Sequence, residues 1–132
     1  MSMTALLVED NALNRLLFSE VLNLAGFEVV ADHTGSEALR LSVDHRPTVA
    51  LVDLGLPGCP GLEVIRRLRA GITTRRMPII AVSAFARTED GLAALNAGAD
   101  MFFCKPVDTH RLVHALSRLT EPAGESVAGS AA

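Results

Sequence analysis

The chain has 132 residues, of which 49% are hydrophobic and 20% charged, with a formal net charge of −3; that is enough for one domain with its own core, and no run approaches the roughly 18 consecutive apolar residues of a membrane span. The mildly acidic balance gives no electrostatic footprint for nucleic acid, and neither nucleic acid nor membrane is expected as a partner. Two cysteines, Cys59 and Cys104, are too few and too far apart for a zinc site and read as free thiols, while the N-terminus MSMTALLVED lacks the basic-then-apolar order of a secretory signal, so a cytoplasmic location is expected.

In chain order, Thr4 to Val8 is a short apolar run that stops at Glu9-Asp10. Ala12 to Ala25 then places Leu13, Leu16, Leu17, Val21, Leu24 and Ala25 at helical spacing, with Asp10 or Asn11 as the cap and Gly26 as the left-handed stop. Phe27 to Ala31 reads as a second strand. Thr34-Gly35-Ser36-Glu37 has the form of a capping box, opening a helix from Ser36 to about Asp44 that Pro47 terminates.

Thr48 to Asp53 is an almost wholly apolar strand, of the kind buried on both faces, and it ends in one carboxylate followed by a Gly/Pro-rich loop. Leu62, Ile65 and Leu68 then mark an amphipathic helix that stops at Gly71, and the basic run Arg66, Arg67, Arg69, Arg75, Arg76 reads as its solvated face. Ile79 to Val82 is a fourth strand ending at Ser83. Thr88 can cap the next helix, with Glu89 and Asp90 in its first turn and Gly98 at its end. Met101 to Cys104 is the fifth strand, ending in Lys105-Pro106, and Asp108 caps a last helix carrying Leu112, Val113, Leu116 and Leu119 on one face to about Thr120. Residues 1–120 thus read as one domain, and 121–132, EPAGESVAGSAA, as a flexible tail or linker.

Strands alternating with helices imply an α/β fold: a doubly wound, five-stranded parallel sheet. In such a sheet the carboxyl ends of the strands share one edge, which gathers Glu9, Asp10, Asp53, Ser83 and Lys105. Any one of these could be a cap, a turn residue or a surface charge. Together they are harder to explain structurally, because two carboxylates about 4 Å apart repel by roughly 4 kcal/mol at an effective dielectric near 20, against a total stability of about 5–15 kcal/mol for a domain. A divalent cation relieves that repulsion. All-oxygen ligands suit Mg²⁺ rather than Zn²⁺, with Mn²⁺ able to take the same place. A carboxylate nucleophile, a lysine, a hydroxyl and such a cation are together the parts of a phosphoryl-transfer site, with Asp53 as the best nucleophile and Glu9 and Asp10 as ligands, directly or through water.

Four motifs, VEDN at 8–11, DLGLPGCPG at 53–61, VSA at 82–84 and CKP at 104–106, resemble those of response-regulator receiver domains of the CheY-like type. The wording VEDNALNRLLF with VSAFA is similar to that of DivK-type single-domain cell-cycle regulators. The intervals agree as well: 30 residues from Asp53 to Ser83 and 22 more to Lys105. The resemblance implies a flavodoxin-like (βα)5 fold of strand order 2-1-3-4-5. By position it implies Asp53 as phosphoacceptor, and Mg²⁺ held by Asp10, Asp53 and the backbone carbonyl of Gly55 with Glu9 acting through water. It further implies Ser83 and Lys105 on the phosphoryl group, Ser83 and Phe102 as switch residues, and a cis Lys105-Pro106 peptide.

The implied partners are a sensor histidine kinase or histidine phosphotransfer protein and a downstream protein target, which would meet the face made by the fourth helix, fifth strand and fifth helix. No turnover of an external substrate is expected. The chain departs from the family's commoner residues at Ser83, Glu9, Phe102 and Pro60. One alternative is a receiver module cut from a larger hybrid kinase or response regulator. A Mg²⁺-dependent phosphohydrolase of the haloacid dehalogenase type would want a second Asp where Gly55 stands, and a flavin-binding module would want a phosphate loop where Glu9-Asp10-Asn11 stands.

Overall fold

The computed structural model describes residues 3–56, 60–84 and 87–121. Cys59, and residues 122–132 of the tail expected at 121–132, lie outside the described residues. The elements alternate strictly: β1 (Met3–Val8), α1 (Ala12–Leu24), β2 (Phe27–Asp32), α2 (Ala38–His45), β3 (Val49–Asp53), α3 (Gly61–Ala70), β4 (Ile79–Ser83), α4 (Thr88–Ala97), β5 (Met101–Cys104) and α5 (Thr109–Leu119). The strands form one parallel sheet in the order β2-β1-β3-β4-β5. Val8 pairs with Val52, Asp53 with Val82 and Ser83 with Cys104, so the carboxyl ends of the strands are aligned along one edge.

The near-continuous apolar runs follow from this placement. Every residue of β3 and β4 is buried, because alternate side chains feed two different cores. On one face Leu6, Val8, Ala50, Val52, Ile79 and Ala81 meet Ala38 of α2, Val64, Ile65 and Leu68 of α3 and Ala94 of α4. On the other, Ala5, Leu7, Val49, Leu51, Ile80 and Val82 meet Phe18, Val21 and Leu22 of α1 and Leu112, Ala115 and Leu116 of α5. No described helix is long and apolar enough to cross a membrane.

Four local expectations are corrected. The face of α1 that packs is Phe18, Val21 and Leu22; Leu13, Leu16, Leu17 and Leu24 are exposed. Leucines occur around most of this helix, so two helical stripes compete, sharing Val21 and the partly buried Ala25 at the helix end. The Thr34/Glu37 capping box does not form. Instead the buried Asp32 carboxylate accepts the Thr34 and Glu37 backbone N–H groups, each at 3.0 Å, and Glu37 pairs with Arg40. Thr88 is the first residue of α4 rather than its cap, which is Arg87 without a side-chain capping bond. Arg69, expected on a solvated face, is largely covered: its Nε donates to the Gly98 carbonyl (2.8 Å) and its Nη2 to Asp100 (2.9 Å), tying α3 to the turn before β5. The neighbouring Arg66 and Arg67 do lie exposed, beside Glu63.

Candidate functional site

Asp53 closes β3 and is 6% exposed; its Oδ1 accepts the Gly55 N–H at 3.0 Å. Glu9, just past β1, is 1% exposed, and both its oxygens are engaged: Oε1 accepts from Lys105 Nζ (2.9 Å) and Oε2 from the Asn11 N–H (3.2 Å). Lys105 follows β5 and also reaches within 3.4 Å of Asp53 Oδ2. Asp10 is exposed at the mouth. One carboxylate oxygen from each of Glu9, Asp10 and Asp53 lies within 4.8 Å of the others. Strand order explains the convergence, since β1 and β4 flank β3 and β5 follows β4.

The electrostatics are those of a crowded acidic pocket. Burial pushes the Glu9 carboxyl above its ordinary value, and neighbouring Asp53 adds to that, while Lys105 and the Asn11 N–H oppose it. Burial works against the Lys105 ammonium, but its hydrogen bond to Glu9 and the Asp53 charge outweigh it, so its pKa is raised. The donor set fits a hard divalent cation: the groups are carboxylates, Asp10 faces solvent, and Asp53 Oδ2 has Lys105 Nζ beside it at the longer 3.4 Å.

Ser83 is 3% exposed at the end of β4, and the Lys105 backbone N–H donates to its carbonyl at 2.8 Å. Phe102 pairs with Ala81, two residues before Ser83, so it lies on the same sheet face as that hydroxyl. Its ring rests on Gly91 of α4, where an added Cβ would come within 3.2 Å. The Lys105–Pro106 peptide bond is cis. A Cβ on Gly55 would meet Asp53 Oδ1 at an ordinary 3.6 Å. Pro60 is the residue before α3 and makes no side-chain cap. His33, His45, His110 and His114 are exposed, and Cys104 is an exposed free thiol.

Two supporting residues escaped the sequence reading. Gly61 packs so closely that a Cβ would collide with the Asp53 carbonyl and the Leu54 Cα; the run of glycines in DLGLPGCPG carried a signal without saying which glycine was needed. Arg15 Nη1 donates to the carbonyls of Glu9 (3.1 Å) and Asp10 (2.8 Å). No spacing rule announces such a side-chain-to-backbone bond.

Comparison with known proteins agrees with this geometry. The chain is 35% identical over 116 residues to the polar-differentiation response regulator DivK of Brucella anthropi, covering 88% of this chain and 94% of that protein. The DivK of Brucella ovis is 34% identical over the same length. Among solved structures, the receiver domain of the Pseudomonas aeruginosa sensor histidine kinase PA1611, which holds a magnesium ion in its active-site cleft, superposes with a TM-score of 0.83 at 32% identity, covering 91% of this chain and 98% of that one. The chemotaxis protein CheY4 of Vibrio cholerae gives 0.84 at 26% identity, with 90% and 99% covered. Residues 5–117 match the response regulator receiver domain, a span running from β1 into α5, and the chain therefore belongs to that family, the receivers of two-component signal transduction.

Proposed function

We propose that this receiver takes a phosphoryl group onto Asp53 from a histidine kinase or histidine phosphotransfer protein. The observation that carries the reading is the gathering of the Glu9, Asp10 and Asp53 carboxylates within 4.8 Å, with Lys105 against two of them. A carboxylate oxygen of Asp53 attacks phosphorus, forming an O–P bond as the P–N bond to the donor imidazole breaks and that nitrogen keeps the electron pair. Magnesium, when bound, neutralises phosphoryl oxygens and lets an anionic donor approach the acidic pocket.

Asp10 and Asp53, with the Gly55 carbonyl, would hold the cation. Glu9 has both oxygens engaged and so acts from behind, through water and by fixing Lys105. Lys105 then serves the phosphoryl oxygens as a point charge and Ser83 as a hydrogen-bond donor. Drawing Ser83 toward the new charge opens room on the face it shares with Phe102, and inward rotation of that ring changes the surface of α4, β5 and α5 that a downstream protein reads. The chain assists its own phosphorylation and turns over no external substrate, because Gly55 stands where a phosphohydrolase of the dehalogenase type keeps its acid/base.

In this reading residues 1–120 are the cytoplasmic receiver and 121–132 a tail or linker. The likeness to the PA1611 receiver supports a second possibility, a module working within a hybrid kinase. Incubation with a phosphohistidine donor and Mg²⁺ tests the reading: the native chain should acquire acid-labile label and Asp53→Asn should not, and equal labelling of the two would overturn it.

A further inference from the structure

Arg15 stands in the first turn of α1, and a single nitrogen, Nη1, donates to two consecutive main-chain carbonyls, those of Glu9 (3.1 Å) and Asp10 (2.8 Å). The same short loop is held from other sides. The Glu9 N–H donates to the Asp32 carbonyl at 3.1 Å, the Asn11 N–H to Glu9 Oε2, and Asn11 Oδ1 caps the helix by accepting the Asn14 N–H at 2.9 Å. Glu9 is therefore fixed through its own side chain. Asp10 is not: among the described residues no hydrogen bond is recorded to its exposed carboxylate.

A peptide unit is planar, so fixing a carbonyl fixes the plane that carries it. The Glu9 carbonyl belongs to the plane entering Asp10 and the Asp10 carbonyl to the plane leaving it. With both planes tied to one guanidinium nitrogen, the direction of the Asp10 Cα–Cβ bond is set, although no described residue hydrogen-bonds the carboxylate itself. That direction leads into the acidic cluster, where an Asp10 oxygen lies within 4.8 Å of oxygens from Glu9 and Asp53.

We propose that Arg15 is a positioning residue for the divalent-cation site, holding Asp10 ready as a ligand through the two carbonyls; this rests on the magnesium reading above. Its charge and its geometry have opposite consequences. A guanidinium acting only as a nearby positive charge opposes a cation, and its removal would tighten binding. A guanidinium that preorganises a ligand favours the cation, and its removal weakens binding. Loss of partners that orient metal ligands typically costs about 10–100-fold in metal affinity, so the geometric effect should win.

The test is calorimetric titration of the full chain with Mg²⁺ at fixed ionic strength, comparing the native protein, Arg15→Ala and Arg15→Lys, with thermal melting in chelator alongside. Arg15→Ala is expected to bind about tenfold more weakly, and Arg15→Lys to recover part of the loss. Unchanged or tighter binding by Arg15→Ala, with or without a lower melting temperature, would overturn the proposal and leave Arg15 a purely structural contact. If Arg15→Ala does not fold, Arg15→Gln takes its place with the same expectation and the same overturning result. Absence of Mg²⁺ uptake by the native chain would overturn the magnesium reading itself, and this proposal with it.

Discussion

Lys105 Nζ lies 2.9 Å from Glu9 Oε1 and 3.4 Å from Asp53 Oδ2, so without a cation this ammonium is the main counter-charge of the pocket. Breaking a buried ion pair from one side leaves a charge unpaired and costs about 3–5 kcal/mol; Glu9, with its raised pKa, can shed part of that by taking a proton. Lys105→Ala should accordingly lower metal-free stability by about 2–3 kcal/mol near neutral pH, read by urea denaturation, and an unchanged midpoint would contradict the pairing. Glu9 gives a pH signature. Its folded pKa is raised above 4.5, so the fold holds this proton more tightly than the unfolded chain does. That contribution is complete below the unfolded value and is lost as pH rises through the folded one. The melting temperature of the metal-free native chain minus that of Glu9→Gln should therefore fall as pH rises above about 4.5; a difference that rises with pH there would contradict the assignment. At this scale the convergence of Asp53, Ser83 and Lys105 was legible because the first two end strands and the third directly follows one. Arg15 was not, because its two partners are carbonyls, which every residue has.

The elements themselves were read well where one pattern dominated and poorly where two competed. The fully buried β3 and β4 have no alternative reading. Helix α1 carries leucines on several sides, and the packed stripe of Phe18, Val21 and Leu22 could not be told from that of Leu13, Leu16, Leu17 and Leu24 until a sheet was present to choose. The start of α2 shows a different limit. Asp32 reaches from the end of β2 to cap it, and the local Thr34-to-Glu37 pattern lost to a carboxylate already buried there. Helix α3 makes the sharpest demand, since Gly61 sets its first turn against the backbone of Asp53 and Leu54. Gly61→Ala would gain at most about 1 kcal/mol of helix propensity. The collision is with main chain that cannot swing aside, and overpacking of this kind costs about 1–3 kcal/mol. A net loss of stability and slower labelling of Asp53 are expected, and a variant as stable as the native chain would show that the α3 start is free to move.

For the whole molecule, alternation of strand and helix was enough to give a doubly wound sheet, and the family resemblance supplied the strand order that the sheet adopts. That order matters for function because it seats β3 between β1 and β4. The Asp53 carboxylate is thus flanked by Glu9 and Asp10 from one neighbour and Ser83 from the other, with Lys105 arriving from β5. Nothing local in 53–61 reveals those companions. The central claim, that this edge of the sheet makes Asp53 a magnesium-assisted phosphoacceptor, is tested most directly by mapping the modified residue. The full chain would be incubated with acetyl phosphate in Mg²⁺ or in chelator, and the phosphorylated peptide identified by mass spectrometry under conditions that preserve acyl phosphates. The account predicts one phosphoryl group, on Asp53, formed in Mg²⁺ and strongly reduced in chelator; modification at another residue, or equal modification without the cation, would contradict it.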